Sequence, residues 1–470
     1  MNKYEELMAR KSQIMLKSVG IDFDKYETGK LSFNYEGLMR DVGYCLEEVR
    51  EIQKEAGVGN TPLIELKNIT KLARKVSKTG KAARIFIKDE SCNPSGSFKD
   101  RRASVSVYDA MKRGYKGVAA ATSGNYGAAV ASQANIRGLK CIIANECYDS
   151  RKIGQPEIIE KGRKCEGYGA EVVRLTVGPE LFYTYLKILE DTGYYNASLY
   201  SSYGIAGVET LGYEIAEKCR EKFERDPSAV VATHAGGGNV TGTARGLIKA
   251  GALDTKIIGA SVDLSGLHMA SDIAFNKKSF TTGHTGFGIP FMTNPDRSDV
   301  PRSAARPLRY MDRYVTISQG EVFWMTEVLA QLEGLERGPA GNTSLAAAFA
   351  IAQEYDNDEI IVVQETEYTG AGKHPIAQLN FAKENGIEII IGNPKEEVPG
   401  KNIILPSHPS LVSVTDANMK ELRNSYIRNS LKRIKGNEIE QRDLKFLLEE
   451  TKLSLRETKE LLKENNISIE

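Results

Sequence analysis

The chain has 470 residues, with 63 Lys plus Arg against 62 Asp plus Glu and a formal net charge of +1. That length can bury a large core in two compact lobes with extensions. The charge balance gives no reason to expect nucleic acid or an acidic membrane surface as partner. No apolar run approaches the length needed to cross a bilayer, and Met1-Asn2-Lys3-Tyr4-Glu5-Glu6 lacks a signal-peptide core, so a cytoplasmic protein is expected.

In chain order, the first 59 residues read as a helical extension, with Leu38, Val42, Leu46 and Val49 recurring at helical spacing. Gly59-Asn60-Thr61-Pro62 then turns the chain into the extended Leu63-Ile64-Glu65-Leu66. Arg84-Ile85-Phe86-Ile87-Lys88 alternates and is β-branched enough to be a buried strand. From there to about Ile391, short apolar strands alternate with helices: Gly117 to Ala121, Leu139 to Ala144, Ala170 to Leu175, Ser228 to Thr233, Lys256 to Val262 and Glu359 to Val363. The pattern predicts an α/β fold with parallel sheets, in two lobes, covered by helices. The expected divisions are an N-terminal helical extension (1–59), a two-lobed region that carries the chemistry (60–393) and a C-terminal helical extension (394–470). In the last of these, Leu444 to Glu449 is amphipathic and docks on this chain or on a partner.

One connection breaks the rhythm. Asp263 to Tyr314 is rich in Gly, Pro, Ser and Arg, and a connection that long is usually functional. Its Arg297, Arg302, Arg306, Arg309 and Arg313 suit phosphate binding. With Asp296, Asp299 and Asp312 interspersed, local ion pairs on a solvated face are the alternative. The six cysteines (Cys45, Cys92, Cys141, Cys147, Cys165 and Cys219) form no C-x-x-C pair, and the five histidines show no metal-ligand spacing. Neither a disulfide framework nor a metal site is expected. Cys141 and Cys165 read as packing residues.

The loops between strands and helices hold the chemistry. Asn93-Pro94-Ser95-Gly96-Ser97-Phe98-Lys99-Asp100-Arg101 joins a strand to a helix. A lysine there lies near exposed backbone N–H groups and the positive end of the helix. That setting disfavours its ammonium form, leaving an amine able to condense with an aldehyde. Thr122-Ser123-Gly124-Asn125-Tyr126-Gly127 is a second strand–helix junction, and its outward N–H groups suit a carboxylate. In His234-Ala235-Gly236-Gly237-Gly238-Asn239-Val240-Thr241-Gly242, followed by an expected helix from Thr243 to Lys249, consecutive glycines expose a row of donors that can cradle one phosphate. The third glycine comes one residue too late for a dinucleotide fingerprint, and a P-loop lysine is absent. Near the end of the sheet, Glu367-Tyr368-Thr369-Gly370-Ala371-Gly372-Lys373 follows a strand, where ligands of α/β sheets bind.

Taken together and in this order, the four loops resemble those of fold-type II pyridoxal-phosphate enzymes, the group of threonine synthase and cysteine synthase. The likeness covers roughly Gly59 to Ile391 and includes the Gly59-Asn60-Thr61-Pro62-Leu63 string. It implies pyridoxal 5'-phosphate as cofactor, carried by Lys99, with Asn125 on the ring oxygen. The same likeness puts Gly236, Gly237, Gly238, Asn239, Val240 and Thr241 around the phosphate, and Thr369 on the pyridine nitrogen, with Thr366 as the alternative. Ser123, Gly124 and Asn125 would hold the substrate carboxylate.

Ile85 to Ser106, Ala119 to Leu139 and the long extensions are similar to something narrower, the large subunits of the 2-amino-4-oxopentanoate thiolase family. That resemblance implies cleavage of 2-amino-4-oxopentanoate with coenzyme A to alanine and acetyl-CoA, in ornithine degradation. It also implies a small alpha subunit as partner, with a homodimer of this chain inside a hetero-oligomer. A threonine synthase-like or ammonia-lyase activity on another small amino acid is the alternative; a binding protein that keeps the pocket without catalysis is a further one. Cys92, close to the lysine loop, is either an acyl acceptor or a buried structural cysteine, and the second is expected.

Overall fold

Short apolar runs form two separate parallel sheets, and the chain passes from one to the other and back. A computed structural model describes residues 3–122, 124–149, 152–176, 180–264, 280–281, 292–294, 300–368 and 375–470. The larger sheet contains β1 (Leu63–Glu65), β2 (Arg84–Asp89), β7 (Ala229–Thr233), β8 (Lys256–Val262), β9 (Arg313–Ile317), β10 (Ile360–Glu365) and β13 (Thr415–Asp416), in the order β1-β2-β10-β7-β8-β9-β13. Its five inner strands are parallel, and the short edge strands β1 and β13 run antiparallel. The smaller sheet holds β3 (Gly117–Thr122), β4 (Lys140–Tyr148), β5 (Glu171–Thr176) and β6 (Tyr195–Asn196), all parallel, in the order β5-β4-β3-β6.

Burial explains why these strands read as continuous apolar runs. All six residues of β10 are buried, as expected where helices cover both faces. The smaller sheet is inserted between β2 and β7, so the helix Lys99–Lys112 leaves one sheet and the helix Ser202–Phe223 returns to it. These two helices pack backbone to backbone. A Cβ on Gly207 would lie 2.0 Å from the Arg101 carbonyl oxygen, so only glycine fits there.

Their contact encloses a buried ion cluster. Arg101, wholly buried, donates through Nε to Glu90 at 2.6 Å and through Nη2 to Glu214 at 2.8 Å, while its Nη1 reaches Thr210 at 2.9 Å. Lys88 on β2 reaches the same Glu214 at 2.7 Å. Two cations thus face two carboxylates with almost no water. Burial works to raise the Glu214 carboxyl, but Arg101 and then Lys88 hold it well below the usual carboxylate range. Gln53, on the helix Leu46–Glu55, closes the cluster by donating to the carbonyls of Arg101 and Gly207 at 3.0 and 2.8 Å.

Two sequence expectations need correction here. The helical spacing of Leu38 to Val49 does not form one helix. The helix Tyr35–Arg40 stops, Gly43 takes φ +76°, and a new helix starts after Cys45, whose N–H is bound by Glu48 at 2.7 Å. The helix after the glycine loop starts at Gly238, five residues before the expected Thr243.

The arginines of the long connection form ion pairs, and they clamp the extensions to the body. Arg302 binds Glu27 at 2.6 Å, Arg306 binds Glu450 at 2.9 Å, Arg309 binds Glu449 at 3.1 Å, and Arg313 binds Asp416 at 2.6 Å. Arg297 lies outside the described residues. The amphipathic tail helix Gln441–Thr451 docks on this chain: Asp443 accepts the N–H groups of Leu31 and Ser32, both at 2.8 Å, and Phe446 stacks on Tyr35. The segment after residue 393 is not detached from the body, because β12 (Asn402–Pro406) pairs with β11 (Glu388–Gly392) and β13 extends the larger sheet. No helix among the described residues is long and apolar enough to cross a membrane.

Glu214→Gln leaves Arg101 and Lys88 with one carboxylate between them. The variant is expected to lose about 3–5 kcal/mol of stability, seen as a lower midpoint in urea denaturation. An unchanged midpoint would show that the cluster does not hold the two lobes together.

Candidate active site

The carboxyl ends of β2, β3, β7 and β10 open into one cleft of about 140 Å³ between the two sheets. From β2 come Phe98, Lys99 and Arg102; from β3 come Thr122, Gly124, Asn125 and Tyr126. Gly236, Gly237, Gly238 and Asn239 follow β7, Thr366 and Glu367 follow β10, and Lys161 and Tyr200 complete the wall.

The lysine loop is held from three sides. Ser95 donates its N–H and hydroxyl to Asp100 at 2.7 and 2.6 Å, which folds the loop back on the first turn of its own helix. The N–H of Phe98 bonds the Thr366 carbonyl at 3.0 Å, and the N–H of Tyr368 bonds the Gly96 carbonyl at 2.9 Å. Lys164 reaches the Ser95 carbonyl at 2.6 Å from the helix Pro156–Gly167. Lys99 is the first residue of its helix, and its Nζ lies 3.9 Å from the centre of the Phe98 ring. The lysine is held well below its ordinary pKa, first by burial, then by the charges of Arg102 and Lys161, with only Glu367 opposing. The shift is in the direction the sequence reading requires, but burial and neighbouring cations account for it, not the helix end invoked there.

The glycine loop presents donors to the same space. Gly237 has φ +83°, and helical bonding begins with the Thr241 N–H to the Gly237 carbonyl at 3.0 Å. The N–H groups of Gly238, Asn239 and Val240 therefore have no intrahelical acceptor, the arrangement that holds an anion. Val240 has its side chain in the core and can contribute only through its N–H. Thr241 does not line the cleft, because its hydroxyl is spent on the Gly237 carbonyl at 2.8 Å and on the Arg306 N–H at 2.9 Å.

Asn125 opens the helix Asn125–Ile136 and lines the cleft with Gly124. Thr122, which the sequence reading passed over, shapes this turn by accepting the N–H groups of Gly124 and Gly127 at 2.9 and 3.2 Å. Ser123 and Thr369 lie outside the described residues. Thr366 is described and lines the cleft.

Sequence reasoning also missed Arg102, Lys161 and Glu367. Lys161 is buried and paired with Glu157 one turn away; burial first, against the pull of Glu367, pushes its ammonium down to about 8. In the sequence, Glu157 and Lys161 look like an ordinary surface i, i+4 pair. Cys92 was expected to be buried. It is exposed, on the single turn Glu90–Cys92 behind the loop, and does not line the cleft. Its thiol donates to Asp89 at 3.5 Å, and burial and then that carboxylate raise its pKa. Cys141 and Cys165 are buried, and burial pushes Cys165 up to about 12.

A lysine held below its ordinary pKa, facing a glycine-rich anion cradle across one cleft on this pair of sheets, defines a pyridoxal-phosphate-dependent enzyme of fold type II. The model of the pyridoxal-phosphate dependent enzyme family matches residues 54–367. Cysteine synthase from Entamoeba histolytica shares the fold with a TM-score of 0.52, at 21% identity, over 68% of this chain and 87% of that one. A 2-amino-4-ketopentanoate thiolase beta subunit from Acetoanaerobium sticklandii is 64% identical over 461 residues, 98% of each chain. Another protein of that name, from an unknown prokaryotic organism, is 66% identical over 449 residues, 96% of this chain and 95% of the relative. The chain belongs to the family of 2-amino-4-ketopentanoate thiolase beta subunits.

The residues present fit pyridoxal phosphate, with a half-buried lysine of lowered pKa for the aldehyde and N–H groups without intrahelical acceptors for the phosphate. A Cβ on Gly237 would lie 2.6 Å from Pro307, in a backbone conformation that β-branched residues avoid. Gly237→Val is expected to weaken cofactor binding roughly tenfold or more in a titration of the apo-protein. Unchanged affinity would exclude this loop as the phosphate cradle.

Proposed function

We propose that this chain is the cofactor-bearing subunit of an enzyme that cleaves 2-amino-4-oxopentanoate with coenzyme A to alanine and acetyl-CoA. It works in the cytoplasm with a small alpha subunit, in a hetero-oligomer that contains a homodimer of this chain. The observation that carries the reading is the 64–66% identity to thiolase beta subunits over nearly the full chain, joined to a cleft in which burial and neighbouring cations hold Lys99 below its ordinary pKa.

Bound pyridoxal phosphate supplies the electron sink that makes the bonds at the substrate α-carbon labile. Lys99 would hold it, with the glycine loop at its phosphate and Asn125 at its ring oxygen. The Lys99 Nζ can take the α-proton and restore it to the α-carbon at the end, while the proton lost by the thiol ends on the β-carbon. Gly124 and Asn125, at a helix N-terminus, receive the substrate carboxylate together with Ser123. Thr369, outside the described residues, would bond the pyridine nitrogen, with Thr366 as the alternative. Thiolysis forms the sulfur–carbon bond at the keto carbon and breaks the adjacent carbon–carbon bond. The electron pair passes to the carbon that becomes the alanine methyl group. The Lys161 ammonium faces the cleft beside Glu157 and can hold the negative charge that builds on the keto oxygen.

None of this needs an acyl-cysteine. Cys92→Ser is expected to keep at least about half of the thiolysis rate, and a nearly inactive variant with normal cofactor binding would restore the acyl-enzyme route.

The division of labour between subunits is open to a direct test. The isolated chain should bind cofactor, turn yellow and exchange the α-proton of alanine, because Lys99 and the cradle are all its own. Carbon–carbon cleavage must also place a thiolate and is expected only with the alpha subunit. Exchange followed by NMR and acetyl-CoA formation are measured in parallel, with and without that subunit, and Lys99→Ala serves as a control that loses both. Full thiolysis by this chain alone would refute the partner requirement, and absent exchange would refute the role of Lys99.

A further inference from the structure

One cation in the cleft has no carboxylate. Arg102 is 2% exposed, and among the described residues no Asp or Glu pairs with it. Among the described residues its single hydrogen bond is a long one, from Nη1 to the Leu199 carbonyl at 3.4 Å, and its buried Nε has no partner there. The neighbouring Arg101 shows what a buried guanidinium normally requires, since it is bound by two carboxylates and a threonine hydroxyl. An unpaired buried charge of this kind is costly and signals an absent anion.

Its position says which anion. The fork lies against the glycine cradle: a Cβ on Gly238 would sit 2.1 Å from Arg102 Nη2 and 2.8 Å from Cζ. Gly238 begins the helix whose first N–H groups have no acceptor. On its other side, the guanidinium packs over the Phe98 ring, 5.5 Å from its centre. Arg102 and Lys99 are one turn apart on the same helix, so they share a face.

We propose that Arg102 is a side-chain anchor for the cofactor phosphate, closing over the glycine cradle from the opposite lobe. Backbone donors alone recognise the shape of a phosphate and leave most of its charge uncompensated. A guanidinium adds charge-assisted, two-pronged bonds and matches the dianion. The assignment also accounts for Gly238, because any side chain there would displace the arginine from the cradle.

The proposal rests on this chain holding pyridoxal phosphate, and the test separates the two. Apo-protein, wild type and Arg102→Gln, is titrated with pyridoxal phosphate and with pyridoxal, which keeps the aldehyde but lacks the phosphate. Absorbance reports binding and circular dichroism reports the fold. Arg102→Gln is expected to lose roughly 10- to 100-fold in affinity for pyridoxal phosphate while its weaker affinity for pyridoxal stays within about threefold. Arg102→Lys, which keeps the charge but not the fork, should fall between the two and serves if the glutamine variant does not fold. Equal losses for both ligands, or no loss for either, would overturn the phosphate role of Arg102 and leave the cofactor assignment standing. Wild-type protein that bound neither ligand would overturn both.

Discussion

The buried pairing of Arg101 with Glu90 and Glu214 is the constraint on which the active site depends. Arg101 is two residues from Lys99, on the first turn of the same helix, so whatever fixes the arginine fixes the lysine. Glu90 sits at the end of β2 and Glu214 on the helix that leads back from the smaller sheet. One side chain thus ties the lysine helix to both lobes. Because the cluster is buried and closely neutralised, it cannot shift without leaving a charge unpaired, and the lysine position is specified more strictly than apolar packing would specify it.

The cleft built on that anchor is unbalanced in charge. Lys99, Arg102 and Lys161 face it, whereas Glu367 stands on the acidic side. Crowding cations in a buried space suppresses the proton affinity of the lysine, which needs a free electron pair for its chemistry. The same crowding prepares the site for a ligand that brings a phosphate and a carboxylate. Binding strength and nucleophile activation therefore come from one electrostatic arrangement.

The extensions belong to this body rather than hanging from it. Arginines after the larger sheet pair with glutamates of the N-terminal and C-terminal segments, and Arg306 also lies over the Tyr35 ring. Arg306 donates its backbone N–H to Thr241, so the clamp is continuous with the helix that starts at the glycine cradle. The segments that exceed a minimal two-lobed core brace the glycine-loop side of the cleft.

Much of this architecture could be read from the chain alone. Runs such as Ile360 to Val363 are apolar without alternation because both faces of a parallel strand are covered, and that pattern survives in any context. The lysine loop and the glycine loop were legible for a similar reason: turns need particular residues at particular positions, and these are local. What could not be read was every feature that depends on who faces whom across the cleft. Arg101 and Arg102 are adjacent and chemically alike in sequence. Only the tertiary structure gives one of them two carboxylates and leaves the other bare beside Gly238. Lys161 resembled half of a surface ion pair until the smaller lobe folded it inward. Backbone geometry is encoded over a few residues, whereas the electrostatic role of a side chain is set by long-range neighbours, and those exist only once the two sheets have closed on each other.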